Sequence, residues 1–193
     1  MRKTHPNRAG EILTFWQEAG AQMWYRHDPI FDRTIRDRFG ALWEQACDGA
    51  CDHWAMGPKG ALALIILTDQ FPRNMFRDSP RAFASDRRAL RIAASALNHG
   101  WDLRLDGPLR QFFYLPYMHS EMLTDQDRAV RLFKARMAEG DTLLHARAHR
   151  EVIRRYGRFP YRNAALGRVS TPEEAAFLAD GGYGAMVREL RGA

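Results

Sequence analysis

The sequence predicts an all-α protein, and three observations carry that prediction. Apolar residues recur at spacings of three and four in segment after segment. Helix-start signatures, in which Asp, Ser or Thr stands just before Pro, appear repeatedly. No stretch alternates apolar and polar residues for long enough to read as a strand.

The elements follow in chain order. From Glu11, Ile12, Leu13, Phe15 and Trp16 share one face of a helix that is expected to close at Gly20. Asp28 reads as an N-cap with Pro29 at the first helical position. The apolar positions Ile30, Phe31, Ile35, Phe39, Leu42, Trp43 and Ala46 then make the next helix long and amphipathic, with Arg33, Arg36, Asp37 and Arg38 on its other face. Residues 61–70 are apolar nearly all round, which predicts a buried central helix. Ser79 and Pro80 predict a helix start and Gly100 its end, and a further helix is expected from Pro108 to Tyr114. Thr124 is expected to cap a helix closing at Gly140, and Asp141 to open one closing at Gly157. Ser170 or Thr171, followed by Pro172, Glu173 and Glu174, marks a last helix start with acids in its positive first turn.

Phe71-Pro72, Leu115-Pro116 and Phe159-Pro160 recur every 44 residues. Proline disfavours a helical conformation in the residue before it, so these are read as three helix-to-helix corners. A period near 44 suits two- or three-helix repeats of HEAT or armadillo size. The expected architecture is therefore one domain spanning 1–193, built of helical hairpins stacked as a short tetratricopeptide-like or HEAT-like superhelical array. Such an array gathers equivalent corners on one concave surface.

Composition narrows the function classes. The chain has 193 residues, 46% apolar and 27% charged, which are ordinary globular values. The longest apolar run is Ala61–Leu67, far below the roughly 20 residues of a membrane span. No signal peptide is read near the start, so the expectation is a cytoplasmic protein. Cys47 and Cys51, separated by three residues and with no second pair, are expected to be reduced thiols. The net charge is +6, and 26 of the 29 basic residues are Arg. Arg offers a planar fork for carboxylate or phosphate. A GC-rich genome is the bland source of the same bias. The basic runs are short and interrupted by apolar residues, so nucleic acid is not an expected partner.

Candidate chemistry sits at the corners. The first corner offers Asp69, Gln70, Arg73, Asn74 and Arg77, the second His119 and Glu121, and the third Arg158, Arg162, Asn163 and Arg168. One reading makes the arginines structural partners of acids and helix ends. The other makes Gln70, Arg73, Asn74, Arg77, Arg158, Arg162, Asn163 and Arg168 the lining of a pocket for a small anionic ligand or an acidic protein segment. His145 and His149 share a helix face, but the glutamate of the HExxH pattern is replaced by Ala146, so no metal is expected, nor any cofactor. Nucleophile-elbow, phosphate-loop and dinucleotide motifs are absent. An alternative is a hydrolase or lyase of a small anionic substrate, with His119 or His149 as base and Asp69 or Glu121 as its partner. A third reading is a protein-interaction scaffold.

The strings LTDQFPRNMFRDSPRAFASD, PYMHSE, DQDRAVRLF and HREVIRRYGRFPYRNAALGRVSTPEEAAFL resemble the DUF924 family of bacterial proteins over about residues 10–182. The resemblance implies a tetratricopeptide-like helical fold and brings no activity, substrate or cofactor. It also implies importance for residues 69–74, His119, Ser120, Glu121, Gln126, His149, residues 155–163, Arg168, Ser170 and Thr171. Tyr156 and Tyr161 stand where the family pattern has Phe and His, and Cys47, Cys51 and His145 lie outside the pattern.

Overall fold

Asp28 caps its helix as its sequence position requires: one carboxylate oxygen accepts from the amides of Ile30 and Phe31, each at 3.0 Å. That cap starts α2, Pro29–Cys47, the second of ten α-helices in a computed structural model that describes residues 8–137 and 140–192. The start of the chain, where a signal peptide was sought, lies largely outside the described residues. The other helices are α1 (Arg8–Trp24), α3 (Pro58–Ile65), α4 (Phe71–Met75), α5 (Asp86–Asn98), α6 (Leu115–Met118), α7 (Leu123–Arg136), α8 (Thr142–Tyr156), α9 (Pro172–Ala179) and α10 (Gly182–Arg191). Among the described residues there is no strand, and the protein is all-α.

Two compact units divide the chain. The first takes residues up to Arg77 with Arg81–Phe113, and the second takes Asp78–Pro80 with the residues from Tyr114 onward. In the first unit α1 and α5 pack on α3, and α2 packs on α4. Every residue of α3 from Ala61 on is buried, so its all-round apolar sequence is matched by its surroundings. Ile12, Trp16, Ile35, Phe39 and Phe71 fill the space between helices without solvent exposure. In the second unit α7 packs on α8 and α10 covers α8. Its core joins Ala148, Val152 and Ile153 of α8 to Phe159 and Met186.

Several expected boundaries move. Gly20, at φ +72, kinks α1 rather than ending it, and the helix continues to Trp24, whose indole N–H donates to the Trp16 carbonyl at 2.7 Å. The single helix expected from Ser79 to Gly100 is split into a 3-10 turn at Pro80–Phe83 and then α5, because Ser85 turns its hydroxyl away from capping and into the core. Residues from Pro108 to Phe113 form a 3-10 segment. The helix expected to be capped by Thr124 starts at Leu123, with Met122 in the N-cap position and no side-chain cap, and it ends at Arg136, short of Gly140. Gly157 closes α8 at φ +69, and Thr171 with Glu174 forms a capping box on α9, as expected. α10, in the glycine-rich GYGAMVRELR, was not expected.

The three prolines all lie in the first turn of a short helix, but the chain enters them differently. Phe159 is extended (φ −91, ψ 105), as a residue before proline should be. Phe71 is helical (φ −59, ψ −39), against expectation. The reason is a π-helical turn, Ile66–Gln70, that carries α3 into α4 with one residue more per turn. Pro72 has no N–H for the Thr68 carbonyl, four residues earlier; the Ser85 hydroxyl donates to that carbonyl instead, and Ser85 in turn accepts from the Trp43 indole at 3.0 Å.

Candidate functional site

The first-unit residues expected to hold a ligand are gathered by the π turn and α4. Asp69, 0% exposed, accepts from the Gln70 side chain. Arg73 donates to the Asp69 backbone carbonyl, pairs with its carboxylate at 3.3 Å and reaches Asp86 at 2.9 Å. Asn74 and Arg77 converge on buried Asp32: the Asn74 amide donates to Oδ1 at 2.8 Å, and Arg77 donates through Nη2 to the same oxygen at 2.9 Å and through Nε to Oδ2. The polar residues of this corner are thus engaged with carboxylates of their own unit.

The third corner uses the same device with other residues. Glu174, 2% exposed, accepts from Arg158 at 2.6 and 2.8 Å, from Asn163 at 3.0 Å and from the Thr171 amide at 2.9 Å. The Arg158 guanidinium foremost holds its carboxyl down to about 2. Glu121 and Arg168 clamp the Phe159 peptide from both ends. The Phe159 amide donates to Glu121 at 2.9 Å, Arg168 donates to the Phe159 carbonyl at 3.1 Å, and the two side chains meet at 2.8 and 3.0 Å. Burial opposes ionisation of Glu121, but the hydrogen bonds from Arg168 and Phe159 outweigh it, and its pKa lies below the ordinary carboxylate value. Gln126 of α7 fixes the turn that carries His119 and Glu121 by donating to the carbonyls of Met118 at 2.7 Å and Ser120 at 2.6 Å.

A different set of side chains meets around His149. Its Nδ1 lies 2.9 Å from the His145 carbonyl and 3.2 Å from the Tyr183 hydroxyl, which is itself 2.7 Å from His145 Nδ1. The rings of Tyr183, Phe159 and His119 stand 4.7, 5.6 and 6.2 Å from the His149 ring. Arg162, 7% exposed, lies over Phe159 at 4.4 Å, and Tyr161 stacks on the same Phe159 ring at 5.3 Å. Desolvation, then the charge of His119 and more weakly of Arg162 and His145, pushes His149 down to about 3. The imidazole is neutral at physiological pH. Among the described residues no group of three or more His, Cys, Asp or Glu could hold a metal ion.

Comparison with known proteins fits this picture of an architecture without an assigned chemistry. A family model described as a bacterial protein of unknown function, DUF924, matches residues 12–182. The chain belongs to the DUF924 family. A solved structure of similar fold is that of the protein of unknown function ATU0120 from Agrobacterium tumefaciens, with a TM-score of 0.85 at 40% identity, covering 88% of this chain and 96% of that one. No curated protein matches.

Several partners in this DUF924 protein were missed in the sequence. Asp32 and Glu174 organise the two corners, yet neither was singled out as a corner partner. Asp32 had a signal: it lies on the apolar stripe with Ile35 and Phe39, where a carboxylate must find donors. Tyr183 was hidden in the glycine-rich start of α10. Asp69 lies in the first unit and His119, Glu121 and His149 in the second. A cleft of about 720 Å³ in the first unit is lined by Leu13, Leu42, Cys51, Trp54 and Lys59, and by none of the candidate catalytic or ligand-binding residues.

Proposed function

We propose that this protein binds a small anionic ligand at the His149 cluster of the second unit, with Arg162 as its cationic group and His119 beside it. The observation that carries the reading is the convergence of these two groups on one imidazole, walled by Phe159, Tyr161 and Tyr183. A guanidinium supplies the counter-charge a small oxyanion needs, and apolar walls around it exclude competing water. In this reading Arg73, Arg77, Arg158 and Arg168, with Gln70, Asn74 and Asn163, hold the corners in shape so that the cluster stays ordered.

The hydrolase or lyase alternative needs a histidine set on a carboxylate and titrating near neutrality. His149 bonds a carbonyl and a phenol instead and titrates far lower, which favours binding over general-base work. An acidic segment of a protein partner would use the same cation. Cys47 and Cys51, both free thiols, suit a reducing compartment such as the cytoplasm. The packing of α7 on α8, and of α10 on both α8 and α9, supports reading the second unit as two stacked helical hairpins of tetratricopeptide kind.

Isothermal titration with phosphate, malate, citrate and phosphoserine tests the ligand class. At least one of these is expected to bind the wild type, with affinity falling at least tenfold in Arg162→Gln, while Arg77→Gln lowers stability and leaves the affinity of the folded fraction intact. Absence of binding across the panel, or equal affinity in folded Arg162→Gln, sinks the reading.

A further inference from the structure

The protonation of one ring says which anions the cluster takes, an inference that rests on the anion-binding reading above. His149 Nδ1 lies 2.9 Å from the His145 carbonyl oxygen, one turn earlier in α8. A carbonyl oxygen only accepts, so Nδ1 must carry a proton. The Tyr183 hydroxyl completes a consistent arrangement: it donates to His145 Nδ1 at 2.7 Å and offers its oxygen to His149 Nδ1–H at 3.2 Å. The reverse arrangement would set a nitrogen lone pair against the carbonyl.

The ring has one proton because it is neutral. The groups around it are His119, Arg162 and His145, each of which opposes a second charge, with the Tyr183 phenol and the Phe159 ring completing the surroundings. Nε2 is therefore a bare lone pair, and no hydrogen bond occupies it among the described residues. A cluster that combines the Arg162 guanidinium with one obligate acceptor is mismatched to an anion that only accepts.

We propose that the cluster selects oxyanions that bring a proton donor of their own, the negative oxygens going to Arg162 and His119 and the ligand's O–H donating to His149 Nε2. Two sources share this chemistry: α-hydroxy carboxylates and the monoprotonated phosphate ion.

Matched pairs separate them. Titration calorimetry at pH 7.5 compares malate with succinate, and inorganic phosphate with sulfate; in each pair only the first member bears an O–H. The donor-bearing member of at least one pair is expected to bind about fivefold or more tightly, the size of one hydrogen bond made by one member and not the other. Discrimination in one pair alone identifies the source. His149→Phe is expected to abolish the preference, so that the two members of each pair bind alike. Equal affinities within both pairs overturn the inference and leave anion binding standing, whereas no binding by any of the four overturns both. Long-range proton–nitrogen NMR of the wild type gives a readout that needs no variant: a proton on His149 Nε2 in place of Nδ1 overturns the inference outright.

Discussion

Glu174 does at one position what two arginine corners were expected to do for a ligand. It satisfies Arg158, Asn163 and the start of α9 together, with its carboxylate almost fully removed from solvent. Replacing it by Gln leaves Arg158 without its counter-charge and turns one acceptor oxygen into a donor. Chemical denaturation of Glu174→Gln should show a loss of about 1–3 kcal/mol, the range for a buried donor left unmatched. Glu173→Gln, one residue earlier and exposed, should cost clearly less, since only its contacts at the helix start are lost. Equal midpoints for both variants and the wild type would refute this role. The Arg and Asn types at the corners were legible in the sequence, but their true partners were not. Pairing Asn74 with Asp32 spans 42 residues and pairing Arg158 with Glu174 spans 16, and no local pattern encodes such closures.

At the scale of the element, the turn from α3 into α4 is the most instructive. Proline removes one backbone donor, and its neighbour was expected to leave the helix. The chain instead widens by one residue and recruits Ser85 from the start of α5 to the Thr68 carbonyl. Ser85→Ala should therefore destabilise the protein by about 1–3 kcal/mol through the buried carbonyl it orphans, as read by urea denaturation. A change below about 0.5 kcal/mol would mean that another donor takes over. Caps written in a few adjacent residues, such as Asp28 and the Thr171 box, were readable because their chemistry is local. The π turn was not, because its compensating hydroxyl lies 17 residues away from the carbonyl it serves. α10 was missed for a different reason: three glycines at its start resemble a loop, and Met186 reveals the helix only by packing on the core of α8.

For the molecule as a whole, the all-α class was legible from periodicity, and the acid response follows from the charges described above. His149 has an ordinary value of 6.5 and a folded value of about 3. Above 6.5 both states leave it neutral. Below 6.5 the unfolded chain takes up a proton that the folded ring refuses, so stability falls, by at most about 1.4 kcal/mol per pH unit, until the folded value is reached. Glu151 and Glu174 are held at about 2, and Glu121 and Asp28 are also lowered. Their contribution is present above the ordinary carboxylate values, 4.5 for the glutamates and 3.8 for Asp28, and is lost as pH falls from there. Urea midpoints should decline in two stages, first from about pH 6.5 and more steeply below 4.5. His149→Phe should shrink the first stage and leave the second, the remainder coming from His145, which burial also lowers; a wild type whose midpoint is constant between 6.5 and 4.5 would contradict the environment assigned to these rings.

The clamp on Phe159 has a spectroscopic meaning. A peptide N–H aimed at an ionised carboxylate is strongly deshielded, so the Phe159 amide should resonate well downfield of an ordinary loop amide. It sits between Glu121 and the ring on which Arg162 lies. That single resonance is a native beacon for the corner: followed during a ligand titration, it reports from inside the second unit whether the peptide beside the His149 cluster has been disturbed, without a label or a mutation. A resonance at the ordinary amide position would show that the clamp is open in solution.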